Sequence, residues 1–541
     1  MASTVAEVFA ATAAGNGGLP FLMVPGGAKP ARSDTAAHLY TYAAAAEEVG
    51  RLRARYRSAG YGLGHRVALL LANRPEFFFH YLALNGLGAG IVPINPDYRR
   101  DEMTYLLEHS EAELSVVLSE RVGDVREAAA HCARPAPVVD AHTLPPELPR
   151  PVTPAEPGEP DLKSVCALLY TSGTTGRPKG CMLSNLYFLN SGRTYCGLGG
   201  LIEIRHGQER FYNPLPLYHM NHLALTATAA MLTANALVLT ERFSPTRWWP
   251  EVAGSGATII HYLGVVAPML LNQPPGPADR GHRVRFGLGA GIEPQLHASF
   301  EERFGFPMIE VWGMTETGRI MAASHEPRMT DTRAFGRPFP GFEARVADQE
   351  GREVPAGGQG ELIVRHSADT PRHGFFSGYL KNEAATEEAW RGGWFHTGDV
   401  VRRDASGMLM FVDRKKHMVR RSGENIAAAE VEAVLQAHAA VAQVAVLPVA
   451  DELREEEVLA CVVPMPGTAA GPELALALFE HCNVRLAYFK APGWVLFLDR
   501  LPTTGTQKVQ KTQIFAEGED PRTRPGIVDL RVRKGRGSAA G

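Results

Sequence analysis

The chain has 541 residues, 45% of them hydrophobic, and a formal net charge of −3. That length exceeds one simple core and suggests about three or four units of ~150 residues with ordinary globular composition. The charge argues against nucleic acid as the main partner, because neutralising phosphates needs a basic surface. The six cysteines, Cys132, Cys166, Cys181, Cys196, Cys461 and Cys482, include no C-x-x-C pair. Such scatter favours reduced thiols in a cytoplasmic protein over a disulfide framework or a zinc site.

The first residues, MASTVAEVFAATAAGNGG, carry no basic segment ahead of the apolar ones, which argues against a secretory signal. From Arg66 onward, short apolar runs (VALLLA, AGIVPIN, LSVVLS) alternate with helical periods (PEFFFHYLALNGLG, RRDEMTYLLEHS). That alternation predicts βαβ units and a parallel sheet. Prolines crowd residues 134–161 and mark a surface connector leading to the apolar run 165–169. Residues 223–240 form the longest apolar stretch, but Thr226, Thr228, Thr233 and Asn235 suit a buried helix running into a strand better than a membrane span. ALVLT, ATIIHYLG and VRFGLGAG read as further strands, with WWPEVAGSG and PQLHASFEERFG as the helices between them.

From about Phe335 the texture changes to short strands with Gly/Pro turns, a small β-rich subdomain over about 335–413. Past Asp413 a mixed α+β pattern of its own begins, with AAAEVEAVLQAH and PELALALFEHCNVRL as helices and VAQVAVLPV, EEVLACVVP and WVLFLDRLP as strands. The basic, glycine-rich end RVRKGRGSAAG reads as a disordered tail. The expected architecture is α/β: a large N-terminal domain over 1–413, with doubly wound αβα sheets and the β-rich subdomain, then a small α+β domain over 414–541.

The chemistry starts at residues 168–180, LLYTSGTTGRPKG, where an apolar run enters a loop of hydroxyls and glycines ending on Lys179. Glycines let backbone amides approach a ligand, and Thr171, Ser172, Thr174 and Thr175 add donors around Gly173 and Gly176, which suits a phosphate. It is not a Walker A loop: five places after Gly173 stands Pro178. In IEVWGMTETG, Trp312 offers a face for a purine, Thr315 a hydroxyl, and Glu316 a hard oxygen of the kind Mg²⁺ takes beside phosphates. Asp399 in GGWFHTGDV could accept from both ribose hydroxyls. Alone, the first segment would be an ordinary polar loop, Glu316 a solvated carboxylate after a strand, and Asp399 a turn residue.

Taken together, YTSGTTGRPKG and the segments after it resemble the adenylate-forming superfamily of acyl-CoA synthetases, non-ribosomal peptide adenylation domains and firefly-type luciferases. Seven motifs in that family's order run from Tyr170 to Lys511. The resemblance makes Lys508, in LPTTGTQKVQK, the catalytic lysine of adenylation, with Gln507 where many members have glycine. It makes Arg414 a second ribose or phosphate contact, Lys416 the hinge between domains, and Gly423 the passage for the pantetheine arm. His219 in PLPLYHMNHL would line the meeting point of carboxylate and acyl group with Met220. Gly289, Ala290 and Gly291 would flank adenine and the acyl pocket, and Gly313 would border the substrate. RRSGENI and NQPPGPADRGHR are most similar to bacterial carnitine/crotonobetaine-type CoA ligases.

The implied activity is an AMP-forming carboxylic acid–CoA ligase using ATP, Mg²⁺ at Glu316 and coenzyme A. Catalysis would fall to Lys508, His219, Thr315 and Glu316, in a monomer or homodimer without nucleic acid or stable membrane insertion. Loading of a separate carrier protein and a catalytically silent nucleotide-binding regulator are the alternatives. Arg319, three residues after Glu316, falls where side chains meet the acyl group in that family. A guanidinium there suits a dicarboxylic or otherwise polar acid, with His222 as a helper; the other reading is that Arg319 points away and pairs with an acidic side chain.

Overall fold

The computed structural model describes residues 3–26, 38–171, 177–264, 266–292, 294–348, 350–414, 418–502, 509, 511, 514–516 and 518–534. Two compact units result. One comprises Met1–Pro96, Leu107–Tyr170 and Gly180–Lys415, and the other Asp97–Leu106, Thr171–Lys179 and Lys416–Gly541.

The first unit is α/β, as the alternating pattern predicts. Strands Arg66–Leu70, Gly90–Pro93, Leu114–Val117, Val138–Asp140 and Val165–Thr171 pair in parallel within one sheet. Strands Arg210–Tyr212, Ala236–Val238, Ile259–Leu263, Phe286–Ala290 and Met308–Gly313 do so within a second. Helix Pro75–Asn85 is buried on every face except Glu76, so its side chains, Phe77, Phe78 and Tyr81 among them, serve as core all round. One apolar cluster joins it to helices Val5–Asn16, Tyr42–Ala59 and Asn185–Gly197 and to strands of both sheets. The stretch read as a helix entering a strand does so with a difference: residues Asn221–Thr226 form a π-helix before Ala227–Leu232 turns α-helical and Ala236–Val238 extends. Such wide turns are uncommon and cluster at functional sites.

The β-rich region is an antiparallel sheet ordered Ala334–Gly336, Leu409–Arg414, Phe395–Arg403, Gln359–Arg365, Glu343–Ala347. It approaches the parallel sheet closely at Gly336, where φ is +120° and a Cβ would lie 2.6 Å from the Ala322 carbonyl oxygen. Among the described residues no helix is long and apolar enough to cross a membrane, and all six cysteines are free thiols.

The second unit carries the sheet Glu424–Ala427, Met418–Arg421, Glu455–Pro464, Trp494–Phe497, Val528–Asp529, with Val441–Asp451 paired to Glu455–Pro464. Helices Ala428–Gln436 and Pro472–Arg485 belong to it. One expectation fails here. The basic segment begins as an ordered 3-10 turn, Arg531–Arg533, and the Lys534 ammonium is buried against the Glu457 carboxylate and the Phe489 carbonyl at 3.2 Å. Lys534 thereby shares the Glu457 carboxylate with Arg421, and a buried ammonium needs such a partner; residues 535–541 lie outside the described structure.

Three histidines of the first unit are fully enclosed. His80 shares a 2.7 Å hydrogen bond with the Tyr56 hydroxyl, and burial, then Arg51 and Arg55, hold its imidazole down at about 3. Burial likewise holds His222 at about 4, and burial and then His222 hold His261 at about 3. These pKa values lie below that of an unfolded histidine, so the unfolded chain takes up protons first and stability falls as pH drops from 6.5 toward 4. H80Q is expected to flatten that fall by about 1.4 kcal/mol per pH unit, read from urea midpoints at several pH values. An unchanged slope would show that His80 is not held neutral.

Candidate active site

The carboxyl ends of the strands in an open parallel sheet are where ligands bind, because the connections leave a crevice there. Strand Phe286–Ala290 ends in Gly289, Ala290 and Gly291. A Cβ at Gly289 would collide with the Tyr262 carbonyl, and Gly291 has φ +88°, so both positions require glycine. The turn is clamped by Glu310, whose carboxylate accepts from Gly291 N (2.8 Å), Ile292 N (3.1 Å) and the Tyr262 hydroxyl (2.7 Å). Burial raises the Glu310 carboxyl despite those donors. The sequence offered no sign of this role.

Strand Met308–Gly313 turns back into Ile320–Ala322, with Gly313 opposite Ile320. A Cβ on Gly313 would lie 2.7 Å from Ile320 Cγ2. The intervening turn holds Thr315, Glu316 and Arg319, and three outside groups fix its backbone. The Tyr187 hydroxyl donates to Thr315 O (2.7 Å), Ser191 Oγ to Gly318 O (2.6 Å), and Phe376 N to Glu316 O (2.9 Å). Tyr187 and Ser191 come from helix Asn185–Gly197, which is capped by Ser184. Glu316 is buried; its Oε1 accepts from the Tyr379 hydroxyl at 2.9 Å and faces Cys181 Sγ at 3.8 Å. Neither partner was anticipated, because both are distant in sequence.

Trp312 and Asp399 meet directly: the indole Nε1 donates to Asp399 Oδ2 at 2.9 Å. Both are buried, and the Trp312 ring lies near Phe335 and Phe342, with centroids 6.2 and 6.3 Å away. Trp312 is thus a donor to the carboxylate as well as an aromatic surface. Asp399 pairs with Arg414 in the backbone of the antiparallel sheet; the Arg414 side chain lies outside the description.

The His219 ring lies tilted beside that of Tyr218, with centroids 4.6 Å apart, and the chain leads through Met220 into the π-helix. Behind it His261 bonds Asn221 Oδ1 (3.0 Å) and the Tyr195 hydroxyl (3.1 Å), and Asn213 reaches Asn221 and Thr226. His222 Nδ1 meets Leu215 O at 2.6 Å, while its buried Nε2 has no partner.

Arg319 is only 5% exposed, and its Nη1 is buried without a hydrogen-bond partner. The guanidinium lies 5.5 Å from the Phe375 ring centre, and burial lowers it to about 10. Among the described residues no carboxylate forms an ion pair with it, so the expectation of an acidic partner is not met there.

In the second unit Ser422 (φ +49°) and Gly423 (φ +83°) form the two-residue turn of the hairpin Met418–Arg421 with Glu424–Ala427. Two successive positive φ values define a type I′ turn, which by itself calls for glycine at 423. Thr171 ends strand Val165–Thr171 and Lys179 opens Lys179–Ser184. Ser172, Gly173, Thr174, Thr175, Gly176, Lys416 and Lys508 lie outside the described residues.

Residues 25–380 match the AMP-binding enzyme family, and residues 430–508 match the AMP-binding enzyme C-terminal domain. The chain is 32% identical to sulfoacetate–CoA ligase of Cupriavidus necator, over 95% of this chain and 97% of that one. It is 30% identical to crotonobetaine/carnitine–CoA ligase of Citrobacter koseri, over 88% and 93%. Among solved structures it is similar to o-succinylbenzoate CoA synthetase of Bacillus subtilis, with a TM-score of 0.79 and 25% identity over 94% and 97% of the two chains. With this likeness along nearly its whole length, the chain belongs to the AMP-binding enzyme family, as an AMP-forming acid–CoA ligase.

Proposed function

We propose that the chain activates a dicarboxylic or otherwise polar acid with Mg·ATP and transfers the acyl group to the thiol of free CoA. The observation that carries this reading is the pairing of Trp312 with Asp399 on the same strand end as Glu316, a carboxylate fixed by Tyr379. In the first step an acid oxygen attacks the α-phosphorus, the bond to the β,γ-phosphates breaks, and acyl-AMP and pyrophosphate result. In the second the CoA thiolate attacks the acyl carbon and AMP departs.

Asp399 would hold the ribose hydroxyls with Arg414, while Gly289, Ala290, Gly291 and Trp312 flank the base. Thr171, Lys179, Thr315 and the residues 172–176 would bind phosphates, and Lys508 would stabilise charge developing on the phosphoryl oxygens. His219, Met220, Gly313 and Arg319 would face the acid, and Gly423 the pantetheine arm. Glu316 fits magnesium: one anchored carboxylate beside phosphate oxygens is how that ion is usually held, and no group of three or more His, Cys, Asp or Glu among the described residues could hold a metal without them. When bound, the ion neutralises phosphate charge. The resemblance to enzymes acting on sulfoacetate and on crotonobetaine or carnitine supports a polar acid without choosing its charge.

A panel of acids assayed for ATP–pyrophosphate exchange should show acid-dependent exchange without CoA, and AMP release matching thioester formation once CoA is added. Exchange without CoA-dependent AMP release would indicate a carrier protein as acceptor. ATP binding without exchange for any acid would indicate a regulator. W312F retains a ring but loses the donor to Asp399; a hydrogen bond to a charged group is worth about 1.5–3 kcal/mol, so ATP should bind roughly 10- to 100-fold more weakly by calorimetry. The loss should shrink for 2′-deoxy-ATP. Y379F frees the Glu316 carboxylate from its anchor, and a magnesium titration of exchange should show an apparent KM for the ion raised about tenfold with kcat changed less. Equal loss of both would place Tyr379 in general folding instead.

A further inference from the structure

Arginine is rarely buried without an anion beside it, because its desolvation must be offset. Arg319 is such a case: 5% exposed, with Nη1 buried and unpartnered. A second orphan lies beside it. Asn190, on helix Asn185–Gly197, has its Nδ2 buried without a partner. The two side chains converge on Gly374, whose φ is +72°. A Cβ there would collide with Asn190 Nδ2 and lie 2.8 and 3.2 Å from Arg319 Nη2 and Nη1. Glycine at 374 therefore lets two unsatisfied donors pack side by side against the same backbone position.

Among the described residues no carboxylate is ion-paired with Arg319. Glu343 is paired with Arg365 at 2.7 Å and Glu387 with Arg372 at 2.7 Å, while Glu316 is bonded to Tyr379. The nearby His366 and His373 rings stand 4.8 Å apart, and burial, then Arg319 and His373, hold the His366 imidazole below its usual range. A forked guanidinium and an amide N–H are the donor types that suit an oxyanion.

We propose that Arg319 and Asn190 form the cradle for a second, remote oxyanion of the acid substrate, a carboxylate or a sulfonate, and that this cradle rejects acids carrying a quaternary ammonium. This rests on the ligase reading and supplies what that reading leaves open, the sign of the substrate's second charge. The same chemistry would hold a free inorganic anion, so the test includes one.

Full-length protein is assayed by ATP–pyrophosphate exchange with matched pairs: succinate against butyrate, sulfoacetate against propionate, and γ-butyrobetaine as the cationic acid. The wild type should prefer the better dianion over its uncharged-tail partner by at least about 100-fold in kcat/KM and should reject the betaine. R319M should collapse that ratio, N190A should lower it about tenfold, and R319K, keeping charge without the fork, should lower it in between. Melting curves give a reading independent of turnover. Without ligand R319M should melt higher than wild type, since an uncompensated buried charge is removed. The dianion should raise the wild-type melting temperature and leave R319M unmoved. An unchanged ratio in both R319M and N190A, use of the betaine on a par with dianions, or equal stabilisation by sulfate at matched ionic strength would overturn the proposal. If R319M does not fold, R319K and N190A decide it. Absence of exchange with every acid would instead overturn the ligase reading, while dianion stabilisation of wild type but not R319M would still report the cradle.

Discussion

The hydrogen bond between Trp312 and Asp399 ties the sheet of parallel strands to the antiparallel one. Trp312 stands at the carboxyl end of a parallel strand, and Asp399 on a strand of the antiparallel sheet. For the bond to form, the two sheets must approach closely, and Gly336 permits this by setting its backbone against Ala322. The turn after Gly313, with Glu316 and Arg319, then lies between helix Asn185–Gly197 and the segment carrying Phe375 and Phe376, bonded to both. The carboxylates of Asp399 and Glu316 are thereby fixed relative to one strand. Preorganised charge of this kind needs no rearrangement when the reaction occurs.

The buried polar groups near this turn divide by whether they are satisfied. Glu310 receives three hydrogen bonds and acts as a brace for the 290–292 turn. His261, Asn213 and Asn221 satisfy one another beneath the π-helix. Arg319 Nη1, Asn190 Nδ2 and His222 Nε2 are left over. A fully bonded network specifies a fold, whereas unmet polar atoms cost stability that a ligand can recover. The same distinction separates Arg319 from Arg421 in the second unit, where a fully buried guanidinium is balanced by Glu457 at 2.7 Å and serves packing.

Much of this was legible beforehand. Alternating apolar runs and helical periods revealed the parallel sheets, the change of texture near Phe335 the antiparallel one, and the motif order the chemistry. These features depend on residues close together in the chain, where periodicity and glycine punctuation act. Two local readings needed revision for non-local reasons: Asn221–Thr226 widens to a π-helix over a buried polar network, and the basic tail starts as an ordered turn with Lys534 buried against Glu457.

By itself, then, the sequence determined the fold class, the succession of motifs and the types of side chain available to bind nucleotide and acid, since each follows from local pattern and chemistry. Only the tertiary structure decided which of those side chains are partnered. Tyr379 on Glu316, Trp312 on Asp399, and Asn190 meeting Arg319 over Gly374 are encounters between distant segments. A charge means one thing beside a counter-ion and another when buried without one, and that difference is set by three-dimensional neighbours which no stretch of sequence contains.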